Sequence, residues 1–179
     1  HGGGGSADQV TPQVIGWAQK GYVAVAQDQP GICTAGQVPS RGPCLEPGAS
    51  TFKIEDDATA SPLFDGVLAA LRGLALLRSQ LDVDRSRVGV TGGSWGGYMT
   101  TMITGLAGDR VKAAFSVYGC GFYDLGSTWQ GQLNALGDVS KQIWLDALDA
   151  GRRAHGATAA YMVANPADDW FFWPNAVMA

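Results

Sequence analysis

The chain has 179 residues, 46% of them hydrophobic and 16% charged, with a formal net charge of −4. That length carries one domain with a sizeable core but not comfortably two. The absence of basic clusters argues against a nucleic-acid partner, and no apolar run approaches the ~20 residues of a membrane span.

The chain opens on His1-Gly2-Gly3-Gly4-Gly5, a glycine-rich loop whose backbone can lie close to a reacting group and donate an N–H to a developing oxyanion. Residues 9–20 read as a helix with Val10, Val14, Ile15 and Trp17 along one side, and Gly21 follows as a C-cap glycine. Residues 22–26, Tyr-Val-Ala-Val-Ala, form a continuous apolar run that predicts a strand buried on both faces. From Asp28 to Ser50 the chain is rich in Gly and Pro and lacks periodicity, which predicts a long loop. Cys33 and Cys44 both lie in that loop, either bridged or as two reduced thiols; a bridge places the protein in an oxidising, secreted or periplasmic compartment, and reduced thiols fit the cytoplasm.

Residues 61–80 carry Phe64, Val67, Leu68, Leu71, Leu74 and Ala75 at helical spacing. A polar turn leads to the β-rich run Arg87 to Thr91, then Gly92-Gly93-Ser94-Trp95-Gly96-Gly97, then a helix with Tyr98, Met99, Met102, Ile103 and Leu106 on it. This is G-x-S-x-G between a strand and a helix, the setting of a nucleophile elbow. The sharp turn exposes the serine hydroxyl, and glycines are needed where the turn presses on its neighbours. In a chain with 26 glycines the pattern alone is weak, but the loop at His1 to Gly4 upstream of it, in the expected order, strengthens it.

Residues 112–118 predict the next strand, 119–137 an irregular segment around Trp129, 143–154 a helix and 158–164 another strand. Cys120 reads as a small buried residue. Strands alternating with helices predict an α/β fold: a mostly parallel sheet with helices on both faces. Residues 1–179 then form a single catalytic domain. Because the first residue is His and already stands inside a motif, that domain is expected to be partial, lacking its first strands and its last strand and loop.

These residues resemble the α/β-hydrolase superfamily and, within it, the dienelactone hydrolase and acetyl xylan esterase-like branch. The resemblance rests on His1 to Ser6, on Val88 to Thr100, on Val117-Tyr118-Gly119-Cys120-Gly121-Phe122 and on Asp168-Asp169-Trp170-Phe171-Phe172-Trp173-Pro174. It implies a serine esterase acting through an acyl-enzyme, on acetyl esters of carbohydrate or another small ester, with no metal or organic cofactor. Ser94 is then the nucleophile, and Gly2, Gly3, Gly4 and Trp95 form the oxyanion hole. Asp169 is the acid, with Asp168 and Asp124 as alternatives. The family order is Ser, Asp, His, yet no histidine follows Asp169; His1 fits a loop-supporting role and His155 precedes the last strand. The catalytic histidine is therefore expected outside the numbered chain. Trp95, Trp129, Trp170 and Trp173 are candidate pocket walls as well as candidate core residues.

Two other readings stay open. A prolyl oligopeptidase-type peptidase shares the G-x-S-x-G-G-Y elbow, although its oxyanion loop usually reads His-Gly-Gly-Pro where this chain has His1-Gly2-Gly3-Gly4. The third is a catalytically incomplete scaffold, in keeping with the missing base.

Overall fold

The computed structural model describes residues 1–30, 49–119 and 121–179. Cys33, Cys44 and Cys120 lie outside the described residues, and with them the expected bridge.

Three parallel strands form one sheet in the order β1 (Gly89–Gly93), β2 (Ala113–Val117), β3 (Ala160–Ala164). The register runs Gly89 to Ala113 to Ala160 at the amino edge and Gly93 to Val117 to Ala164 at the carboxyl edge. Seven α-helices accompany the sheet among the described residues: α1 (Thr11–Gln19), α2 (Pro62–Ser79), α3 (Trp95–Ala107), α4 (Gln130–Asn134), α5 (Asp138–Leu148), α6 (Ala150–Arg153) and α7 (Pro174–Met178).

α2 starts where its sequence says it should. Ser61 accepts from the Leu63 N–H, Pro62 occupies the first position, where no donor is missed, and Arg78 stands in the last turn. Its buried side is Leu63, Gly66, Val67 and Leu74. α3 is buried on most sides, from Gly97 through Thr104 and at Ala107, and it packs across β1 and β2. Its buried threonines satisfy their hydroxyls within the helix, Thr100 Oγ1 donating to the Gly96 carbonyl at 2.8 Å and Thr104 Oγ1 to that of Thr100 at 2.6 Å. Beyond α3 the core is aromatic. Trp144 is fully buried against Phe52 and Tyr123, ring centroids 5.0 Å away in each case, and its Nε1–H reaches the Thr51 carbonyl.

The parallel sheet with helices is the expected architecture, with differences in detail. Residues 22–26 form no ladder, and Tyr22, Val23 and Val25 are exposed, where a doubly buried strand was expected. An apolar run becomes a strand only when a neighbour accepts its backbone groups, and no described segment does. For the same reason α1, which precedes this run, has no sheet to dock on: none of its residues is buried, and Ile15 and Trp17 face solvent. Helices were expected on both faces of the sheet. α3 covers the face bearing Ala114 and Ser116, whereas Phe115 and Met162 on the other face are exposed. The single helix expected over 143–154 starts earlier and breaks at Asp149 into α5 and α6. The irregular segment after β2 contains α4, and α7 was not foreseen. No described helix is long and apolar enough to cross a membrane.

Candidate active site

Ser94 joins β1 to α3 with φ 57° and ψ −116°, a left-handed φ that a residue with a Cβ rarely adopts. Strain of this kind costs about 1–3 kcal/mol and persists only where the surroundings over-determine it. Here they do. The Ser94 N–H donates to the Val117 carbonyl at 2.7 Å, and its own carbonyl accepts from Gly97 N at 2.9 Å and Tyr98 N at 3.0 Å. The turn closes only because side chains are missing. A Cβ on Gly92 would stand 2.5 Å from the Gly96 oxygen, and one on Gly97 would stand 2.6 Å from the Val117 oxygen. The Ser94 side chain is left exposed at the carboxyl edge of the sheet, where ligands bind in open α/β folds.

The glycine loop at the chain start lies on this elbow. A Cβ on Gly2 would sit 3.9 Å from Ser94 Cβ, and a Cβ on Gly96 would meet the His1 carbonyl at 2.9 Å. Gly2 and Gly5 close a turn, Gly5 N to Gly2 O at 3.2 Å, with Gly4 at φ 69° and Gly3 exposed at its tip. The Ala7 N–H anchors the loop's far end on Asp28 at 2.7 Å. Trp95 opens α3, so its N–H has no partner within the helix and is available at the serine. Two motifs more than ninety residues apart in sequence thus meet at one hydroxyl.

The candidate acids separate. Asp169 follows β3 on the same carboxyl edge, in a turn closed by its own N–H on the Pro166 carbonyl at 3.2 Å. Its carboxylate accepts from Asn165 Nδ2 at 2.7 Å and from the Phe171 N–H at 2.9 Å, which orients the group and leaves lone pairs for another donor. Asp168 beside it is exposed. Asp124 is committed elsewhere: Arg152 grips both of its oxygens, Nη1 at 3.0 Å and Nη2 at 2.9 Å. That guanidinium holds the Asp124 carboxyl below the usual carboxylate range.

Aromatic contacts tie the Asp169 turn to the elbow helix. The Trp95 ring stacks on Tyr98 at 5.0 Å, Tyr98 meets Tyr123 at 6.2 Å, and Tyr123 meets Phe172 at 5.0 Å. Trp129 joins the same cluster through Phe52 and Phe171; Trp170 touches Phe171 with ring centroids 4.5 Å apart but is largely exposed, and Trp173 is exposed as well. The Tyr98 phenol itself is structural: it donates to the Leu148 carbonyl at 2.8 Å, and burial, with the Asp149 charge second, pushes its pKa far above the usual tyrosine value.

Neither imidazole reaches the serine as a base. His1 Nδ1 bonds the Gly2 carbonyl at 2.9 Å, within the loop. His155 bonds the Arg152 carbonyl in a 3-10 turn ahead of β3, at the amino edge. The five-residue strand alone puts about 13 Å between it and the carboxyl edge.

Sequence reasoning missed Asp149, a fully buried carboxylate. Oδ1 accepts from the N–H groups of Phe122, Gly151 and Arg152 and Oδ2 from Tyr123, with Arg152 Nη1 3.3 Å away. It fixes the turn after β2 beside the site. An aspartate ahead of Ala-Gly inside a helical pattern gave no signal of this.

Residues 65–165, more than half of the chain and spanning α2 to the end of β3, match the prolyl oligopeptidase family. The chain belongs to that family. Its fold is similar to that of acetyl xylan esterase 1 from Thermoanaerobacterium sp. JW/SL YS485, with TM-score 0.76 and 20% identity over 99% of this chain and 60% of that one. It is also similar to that of an acetyl xylan esterase from Paenibacillus sp. R4, with TM-score 0.70 and 20% identity over 100% of this chain and 61% of that one. The fold read from the motifs, a parallel sheet with helices, is the fold of these two solved structures, and the chain spans about 60% of their length.

Proposed function

We propose that the protein is a serine esterase that removes acyl groups, in particular acetyl groups, from carbohydrate esters. The observation that carries this is Ser94 itself: exposed, held at φ 57° and faced by the Gly2 loop. Similarity to two acetyl xylan esterases supports the substrate class.

In this reading Ser94 Oγ attacks the ester carbonyl as a general base takes its proton, a role for which neither His1 nor His155 is placed. The Trp95 N–H and an N–H of the Gly2 to Gly4 loop stabilise the tetrahedral oxyanion, each donor contributing about 3 kcal/mol. The alcohol leaves with the proton, and water then cleaves the acyl-serine to release the acid and restore the hydroxyl. Asp169 orients that base, since its carboxylate is fixed by Asn165 and Phe171 on the serine's edge of the sheet. Asp168 is the alternative. Asp124 is third, because Arg152 occupies both of its oxygens.

A second reading, a peptidase cleaving after proline, is favoured by the family match over residues 65–165. Hydrolysis of p-nitrophenyl acetate and of acetylated xylan, set against a chromogenic proline peptide, separates the two; cleavage of the peptide alone overturns the esterase. Fluorophosphonate labelling that is lost in Ser94→Ala confirms the nucleophile, and absence of labelling in the wild type rejects both.

A further inference from the structure

Among the described residues, three non-glycine residues have positive φ: Ser94, Tyr118 and Phe122. Ser94 is the proposed nucleophile and Phe122 is held by the Asp149 carboxylate, but Tyr118, at φ 53°, has no such account. It follows β2 directly. Its N–H donates to the Ala164 carbonyl at 3.0 Å, and the carbonyl of the preceding Val117 accepts from Ser94 N. Tyr118 therefore stands in one hydrogen-bonded row between Ser94 and the end of β3 at Ala164, after which the chain runs into the turn that carries Asp169.

Strand alternation would send residue 118 to the face of Ala114 and Ser116, against α3. α3 lies close at the next position, where a Cβ on Gly119 would meet the Gly97 carbonyl carbon and Tyr98 N at 2.4 Å. The left-handed backbone turns the ring outward instead, and it is 51% exposed. Glycine or asparagine would adopt this backbone at less cost. Among the described residues the phenol ring makes no hydrogen bond and no aromatic pair.

Resting on the esterase reading, we infer that Tyr118 is a substrate-contacting residue whose ring forms a wall for the alcohol part of the ester. An acetyl group is small and is taken up at the serine. The larger sugar leaves toward the open edge, where an exposed aromatic face stacks on its C–H surface.

The test compares wild type with Tyr118→Gly, Tyr118→Asn and Tyr118→Phe, using acetylated xylo-oligosaccharide, ethyl acetate and a fluorophosphonate. In the Gly and Asn variants Tm holds or rises, labelling of Ser94 stays within about twofold, and kcat/KM for the sugar ester falls about tenfold through KM. Ethyl acetate, which carries no sugar to stack on the ring, is turned over within about twofold of wild type, and Tyr118→Phe keeps the sugar-ester KM. Unchanged sugar-ester kinetics in Tyr118→Gly and Tyr118→Asn overturn the inference, as does a loss of Tm with KM unaltered. A wild type that does not label with fluorophosphonate rejects the serine-hydrolase reading on which it rests, so the two failures are distinct.

Discussion

At the end of β1 the chain turns because three glycines lack side chains; at the end of β2 it turns because one carboxylate collects four backbone N–H groups. The elbow is held by close approach, with Gly92, Gly96 and Gly97 each packed where a Cβ would stand 2.9 Å or less from backbone. The segment after β2 is held by charge: Asp149, buried, binds Phe122, Tyr123, Gly151 and Arg152, and Arg152 in turn clasps Asp124. Both devices fix a strained residue at the carboxyl edge, Ser94 in one case and Phe122 in the other. Steric exclusion is local and leaves a motif. A buried carboxylate acts across 27 residues and leaves none.

The contrast can be broken at either end. The largest effect is expected at the elbow's serine: Ser94→Gly lowers kcat for ester hydrolysis by about 10⁴-fold or more while Tm holds or rises, because glycine adopts the left-handed φ without strain. A Tm loss alongside the activity loss would show that the serine side chain, and not only its backbone, supports the turn. Next comes Asp149→Ala, which strips partners from four N–H groups and from Arg152 and is expected to cost about 3–5 kcal/mol in chemical denaturation. Asp149→Asn, which keeps one acceptor, should lie between that variant and wild type.

Gly97→Ala places a Cβ 2.6 Å from the Val117 carbonyl and 2.9 Å from Gly119 Cα. Overpacking of this kind costs about 1–3 kcal/mol. Thermal melts should show the loss, with activity falling further than stability alone explains, since the displaced element carries Ser94.

The smallest effect belongs to Asp124 and Arg152. Arg152 depresses the folded carboxyl below its unfolded value near 3.9, so the pair's stabilisation is complete above about pH 4 and is lost as pH falls through the lower folded value. Asp124→Asn should cost about 1 kcal/mol at neutral pH and flatten the acid side of the Tm profile. Identical profiles for mutant and wild type would mean that the pair contributes nothing to folding. Retained ester hydrolysis in Asp124→Asn, beside its loss in Asp169→Asn, is the expected outcome for the triad acid.

Ser94, its glycines and the loop at Gly2 to Gly4 were legible because each is a consequence of neighbours in sequence: a strand, a turn too tight for side chains, and a helix. The same holds for the start of α2, written in Ser61 and Pro62. Residues 22–26 misled because hydrophobicity specifies burial and not a hydrogen-bonded partner. The tertiary structure alone decided three things. It laid the His1 loop against Gly96, it closed Asp124 onto Arg152, and it set Tyr118 in the row between Ser94 and the end of β3. Each depends on groups from separate segments meeting at the carboxyl edge of a parallel sheet. That meeting is set by strand order and register, which local residue patterns do not encode.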